Sequence, residues 1–426
     1  MGLLQEALDR QIALLPQHIW TEILADKLAA LGHADTALAE RMAAHLLSGA
    51  DPNAFDDPAA PGITIVIGEA DLERMRARGN SFTERIPGLV EDFIEKSGRS
   101  FADAFLAAVK DGRQVERDKS AAFRNRIFRR WGGGLDQLAI LLELACEAHS
   151  RYATEPAKDA PRGKATLEVL SQLHQRACEV SAEILCLLEN GFADGALSRW
   201  RTLFELSTYA TLISDAGDLL ADRYLDHGIV ERRKYAHDLA ASGPELGIKP
   251  PRKSELTALD AELKAAIAKH GDNFAGPQGW AADFFGNPRP TFRDLQRIAN
   301  RSEMQIFYKL SSQGIHANAG TAPPSLGLLY ERSFVGDANA GLDLPGCAVA
   351  YCLTRMIGAA YGNQLDIDDL AMMRAAVLVR DDCCAAFRRA NRKLDRDEAR
   401  ARQRIAATAQ RQFGTRTKRR PAGSRR

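Results

Sequence analysis

Residues 193–215 read ADGALSRWRTLFELSTYATLISD, and this stretch decides the fold. Leu197, Trp200, Leu203, Phe204, Leu206, Tyr209, Leu212 and Ile213 recur at helical spacing and leave no clear polar face. A helix that is apolar on nearly all sides belongs inside a bundle. The same helix carries Arg201 and Glu205, four residues apart and so stacked on one side. Charge taken into a bundle is costly unless it is partnered. Two readings stay open: a buried polar network that fixes helix register, or the lining of an internal polar pocket.

The flanking sequence extends the bundle. From Ala165 to Asn190 apolar residues follow near-heptad spacing and Gly191 ends the run, which predicts an antiparallel hairpin with the helix after it. A further helix, about 219–241, contains RYLDHGIVERRKYAH and is broken by GPELGIKPPR. After a short helix at 255–270, residues 273–290 (NFAGPQGWAADFFGNPRP) are too aromatic for a solvated linker and are expected to cover the bundle. In SEMQIFYKLSSQGIHA (302–317), Tyr308, Ser312 and His316 fall at i, i+4 and i+8, one face of a helix ending near His316. Two last helices are expected over 341–362 and 365–413. Asp366, Asp368 and Asp369 fit a helix N-terminus better than a metal site, lacking the glycine and terminal Glu of a calcium loop.

Before the bundle, residues 2–48 read as two or three amphipathic helices, with Asp35-Thr36 placed to cap one of them. A linker follows, then GITIVIGEA (62–70), a short β-branched strand with no identifiable partner. Residues 80–111 return to helix, with Phe93, Phe101, Phe105 and Leu106 as core candidates. Arg113–Arg130 is strongly basic and reads first as a solvated helix face or connector, and second as an RNA-facing patch. The glycines of WGGG (131–134) are expected to break that helix and start a new one. The chain is therefore predicted to be all-α, a multi-helix bundle with a smaller helical N-terminal region and at most a minor strand element. The expected parts are an N-terminal helical region (1–50), a connector with the strand (62–130), the main bundle (131–413) and a disordered basic tail (414–426).

A chain of 426 residues with 45% hydrophobic and 27% charged residues has the composition of an ordinary soluble globular protein. No run is apolar enough to span a membrane, and the N-terminus has acids where a signal peptide has basic residues. Seven cysteines without a CxxC pair argue against a disulfide framework or a zinc knuckle. The cytoplasm is the expected compartment, with no metal and no cofactor. Over 388–426, 15 Lys and Arg stand against 3 Asp and Glu, a net of +12, while the rest of the chain carries −11. Such a basic tail suggests an anionic partner, nucleic acid being the usual one.

With FADGALSRWRTLFEL, RYLDH (223–227) and YKLSSQGIHA (308–317) in this order, the chain resembles the domain-of-unknown-function family 5677 of bacterial helical proteins, over roughly Trp131 to Gly362. The resemblance implies a helical fold and no established activity. It maps the family's recurrent polar positions onto Arg201, Glu205, His227, Tyr308, Ser312 and His316. A looser similarity is to HEPN-type helical domains, many of which are metal-independent ribonucleases marked by an Arg and a His four to six residues apart. Arg232 and His237 have that spacing here, with the atypical Arg233 after the Arg and a solvated helix face as the plainer reading.

Chemically, Arg201 can hold a carboxylate or phosphate through two parallel hydrogen bonds. Glu205 is a base or the partner that orients Arg201, and His316 can transfer protons near neutral pH. Tyr308 and Ser312 can position a ligand, as can His227 on the family mapping. Two function classes follow. One is a metal-independent ribonuclease or nucleotide-acting protein, with bacterial stress or phage defence implied by the HEPN similarity. The other is a non-enzymatic interaction or sensor module whose basic tail docks nucleic acid.

Overall fold

The structure is a computed structural model and describes residues 3–58, 62–154, 163–315, 337–361 and 366–414. All the regular secondary structure among the described residues is helical, with no strand among them. None of their helices is long and apolar enough to cross a membrane. The chain divides into two compact units, Met1–Glu116 and Arg117–Arg426.

In the first unit, α1 (Leu3–Ala13) precedes a hairpin of α2 (Leu15–Ala30) and α3 (Thr36–Leu47). Asp35 caps α3, its carboxylate accepting from the Leu38 amide at 3.1 Å. The hairpin closes on Trp20, Ile23, Leu24, Leu28, Leu38, Ala39 and Ala43. The strand expected over 62–70 is not formed. Residues 63–68 are irregular, and helix begins at Glu69. The alternating Ile63, Ile65 and Ile67 pack on the helical cluster, and the Lys27 ammonium donates to the Val66 carbonyl at 2.8 Å. The two-residue apolar period is therefore satisfied by a helix surface, and the Val66 carbonyl by the Lys27 side chain, instead of by a neighbouring strand.

Helix α4 (Glu69–Thr154) is continuous, and it corrects two expectations. Phe101, Phe105 and Leu106 are exposed on it rather than forming a core. Gly132–Gly134 do not break it. A Cβ on Gly134 would stand 2.8 Å from the Phe387 ring, so the missing side chain serves a close helix crossing instead of a turn. The division between the compact units, at Glu116 and Arg117, falls within this helix.

In the second unit, α5 (Lys164–Glu189) and α6 (Ala193–Ala216) form the expected hairpin, turning at Gly191, whose φ of 77° suits glycine. Arg199 and Glu183 form an ion pair across it. Helix α7 (Asp218–Ser242) pairs with α8 (Lys253–His270), and α9 (Phe292–Ile298) and α10 (Gln305–Ile315) lie against α6. Helices α11 (Asp343–Tyr361) and α12 (Ile367–Gly414) complete the bundle, α12 opening with Asp366 accepting from the Asp369 amide at 2.7 Å. The core runs from Ile127, Trp131 and Leu138 of α4 through Trp200 and Phe204 of α6 to Leu353 of α11 and Phe387 of α12, all buried. Residues 415–426 of the expected tail lie outside the described residues.

Candidate functional site

Arg201, Glu205 and Tyr209 stand one turn apart on one side of α6, a helix that also buries Leu197, Trp200, Leu203, Phe204 and Ile213 in the core. Helix α10 crosses this stripe and supplies partners from one of its own faces. Arg201 Nε donates to Glu205 Oε1 at 3.1 Å, and Arg201 Nη1 donates to Ser312 Oγ at 3.2 Å. The Tyr308 hydroxyl donates to the same Glu205 oxygen at 2.6 Å. The Arg201 guanidinium lies 4.6 Å from the centre of the Tyr308 ring, a cation–π contact, and Ser312 donates its hydroxyl to the Tyr308 carbonyl at 2.7 Å. Arg201, Glu205, Tyr308 and Ser312 thus converge as the spacing suggested. They are half-buried rather than buried, with the Arg201 and Glu205 side chains 28% and 31% exposed.

This placement has a measurable electrostatic consequence. Burial, reinforced by the hydrogen bond to Glu205, pushes the Tyr308 phenol above its ordinary value of 10.0. A group that keeps its proton longer in the folded protein contributes stability below its unfolded pKa and loses it as pH rises through the folded one. Ultraviolet absorbance titration should therefore find Tyr308 ionising above pH 10, and Glu205→Gln should bring that step down. Superimposable curves for the two proteins would mean that the tyrosine–carboxylate bond does not form.

Beyond Tyr308 the site is walled by aromatic rings. Phe292 of α9 lies 4.9 Å from Tyr308 between ring centres and 5.9 Å from Tyr209. The Tyr209 hydroxyl donates to Gln278 Oε1 at 3.2 Å. Gln278 and Phe292 also line a cavity of about 640 Å³, together with Asn273, Arg289 and Thr291. The cavity is built into residues 272–292, which cover α7 as expected, with Phe274, Trp280 and Ala281 buried.

The RYLDH stretch of α7 holds this cover. Arg223 donates through Nε to the Trp280 carbonyl at 2.9 Å and through Nη2 to the Ala282 carbonyl at 2.8 Å. Asp226 bonds Lys269 and His270, each at 2.7 Å. His227 bonds the Gly276 carbonyl through Nε2 at 2.9 Å and meets Phe274 edge-on, and burial lowers its pKa. His227, expected to bind ligand, is thus placed as a fastening of the cover loop and makes no contact with the Arg201 network among the described residues.

His316 lies outside the described residues; α10 is described to Ile315. Arg232 and His237 stand exposed on α7, paired with Glu262 and Asp260 of α8, the Asp260 bond to His237 being 3.2 Å. One charged residue escaped the sequence reading. Arg301, in the connection between α9 and α10, is 2% exposed. Its guanidinium lies 4.9 Å from the Phe204 ring centre and donates to Ser207 Oγ at 3.0 Å. Nothing about an arginine after Asn300 in a polar connection marks it for burial. Among the described residues, no three His, Cys, Asp or Glu side chains cluster as a metal site requires.

Residues 167–327 match the model of a family of unknown function (DUF5677), a narrower span than the motif order alone suggested. No curated protein and no solved structure matches the chain.

Proposed function

We propose that residues 167–327, a domain of that family of unknown function, carry a binding site for a phosphate-bearing ligand, and that the protein acts on nucleotides or RNA without a metal ion. One observation carries the reading. Arg201 uses Nε on Glu205 and Nη1 on Ser312, while no described residue takes Nη2 or the second Glu205 oxygen. One edge of a firmly held guanidinium and one carboxylate oxygen are left to a ligand on a partly exposed face. A guanidinium fixed in this way is suited to two phosphate oxygens.

In this reading Glu205 orients Arg201, because its other oxygen already accepts from Arg201 and Tyr308. Tyr308 and Ser312 hold the geometry across α6 and α10. The proton-transfer group is His316, the next residue after α10. It takes the proton of the RNA 2′-hydroxyl as that oxygen bonds to phosphorus, and the bond to the 5′-oxygen breaks, that oxygen taking a proton from water. The products are a 2′,3′-cyclic phosphate and a 5′-hydroxyl end. The cavity beside Phe292 offers room for a base against an aromatic wall. On the HEPN analogy the cellular setting is bacterial stress or phage defence.

The test is incubation of the purified chain with single-stranded, transfer and ribosomal RNA. Cleavage should persist in a chelator and be lost in His316→Ala with the fold retained. Arg201→Ala should also lose it, with some loss of stability, because Glu205 is left without its cation. A folded protein that cleaves none of these RNAs overturns the enzymatic reading. If it still binds RNA, the second reading takes over: an interaction module docking nucleic acid through its basic C-terminal segment. The charge of that segment favours it, +12 over 388–426.

A further inference from the structure

A shallow depression of about 250 Å³ lies where α4 and α12 cross, lined by Arg126, Arg129, Arg130, Asn339, Lys393 and Asp397. Four cations face a single carboxylate. That carboxylate is already engaged, Asp397 Oδ2 accepting from both terminal nitrogens of Arg130 at 3.2 and 3.3 Å. The other cations have no acid among the described residues. Arg126 lies 5.3 Å from the centre of the Phe123 ring, and Arg129 Nε reaches only the Asn125 carbonyl of its own helix at 3.4 Å. The Nε of Arg130 is buried without an acceptor.

Asn339 completes the lining. Its Oδ1 accepts from the indole N–H of the buried Trp131 at 2.8 Å. Trp131 is only a donor, so this bond fixes which way the amide faces and leaves the Asn339 –NH₂ to the depression. The Asn339 oxygen and Asp397 Oδ2 are therefore engaged, and the depression offers N–H donors carrying net positive charge. Gathered like charges repel one another, and an anion with several acceptor oxygens relieves that repulsion.

From this we infer that the α4–α12 seam is a binding site for the phosphate backbone of a nucleic-acid strand. A strand rather than a lone phosphate is favoured because the charge continues along the helix. From Lys393 and Asp397, steps of seven residues lead to Arg400 and Arg404 on the same face of α12, both exposed. Single anions need one pocket, whereas a strand presents a phosphate at each nucleotide and uses such a row. The site is distinct from the Arg201 network and stands or falls independently of cleavage there.

The test is fluorescence anisotropy with a labelled single-stranded RNA across a salt series, using the full chain so that the C-terminal tail is constant. The triple variant Arg126→Gln, Arg129→Gln, Lys393→Gln should bind more weakly. Its plot of log affinity against log salt should be shallower by about 2, roughly 0.7 for each phosphate no longer neutralised. Its thermal melt should not move, because the substituted side chains are exposed. Asp397→Asn should tighten binding. The charge control is Lys249→Gln, Lys253→Gln, Lys264→Gln, exposed positions before and on α8. A seam variant that binds like the wild type, or no more weakly than this control, overturns the assignment. So does inorganic phosphate binding the wild type as tightly as the RNA does, which would make the depression a site for the free ion.

Discussion

Replacing Phe387 by alanine is expected to cost the second unit about 3–5 kcal/mol, the range for removing a buried aromatic side chain. Phe387 is fully buried where α4, α11 and α12 meet. Two glycines admit it. A Cβ on Gly134 of α4 would stand 2.8 Å from its ring, and one on Gly346 of α11 would stand 2.5 Å away. The Trp131 ring lies 6.2 Å from it between centres. Because backbone forms two of the walls, the site cannot close by a side-chain rearrangement alone, and a cavity remains. The urea midpoint followed by near-ultraviolet circular dichroism reads the loss, and a change below about 1 kcal/mol would contradict this packing. The reciprocal changes sharpen the test. Gly346→Ala alone should destabilise by about 1–3 kcal/mol through overpacking, yet be tolerated once Phe387 is alanine.

The same junction explains why the sequence of α4 suggests a break that the helix does not have. Three successive glycines usually end a helix, since each costs about 1 kcal/mol relative to alanine in its interior. Here the penalty is offset by the approach of Phe387, a residue more than 250 positions away that no local pattern connects to WGGG. GITIVIGEA failed for a related reason. Alternating β-branched residues report one buried face but not what buries it, and here that is the α2–α3 hairpin with Lys27 bonding the segment's backbone. The exposed Phe101 and Phe105 mark the opposite limit, because periodicity predicts an apolar stripe and cannot supply the element that would cover it.

The centre of the candidate site was legible because its rule is general. Arg201 and Glu205 on an apolar helix demand partners, and the i, i+4 face of Tyr308 and Ser312 provides them. The role of RYLDH was not legible. Arg223 and His227 bind main-chain carbonyls of the cover loop, and a carbonyl acceptor leaves no mark in the identity of its residue. A motif of charged and aromatic residues then looks the same whether it waits for a ligand or fastens a loop. Arg301 was invisible for the opposite reason: its partners, Phe204 and Ser207, sit on α6 as ordinary core and small residues.

Lowering the pH from about 6.5 to about 4 is expected to remove about 3 kcal/mol of stability through one side chain, His174. It is buried on α5, its Nε2 bonded to the Ala145 carbonyl of α4 at 2.8 Å. Its Nδ1 is buried with no partner, and the His149 ring stacks on it at 5.4 Å between centres. Burial lowers the His174 pKa from 6.5 to about 4, with the carbonyl bond opposing and the charge of His149 adding to the fall. Between those values the unfolded chain holds the proton and the folded chain does not, so stability rises with pH across this window. The contribution is complete above about pH 6.5 and is lost on descending to about pH 4, at about 1.4 kcal/mol for each pH unit. Below about pH 4 both states are protonated and the slope from this residue ends. His227, also lowered by burial, adds a slope of the same sign. Urea midpoints for the wild type and His174→Gln at about pH 7 and about pH 4.5 isolate the effect. The glutamine variant should be weaker at neutral pH but fall less on acidification, and equal falls in the two proteins would show that His174 is protonated in the folded bundle.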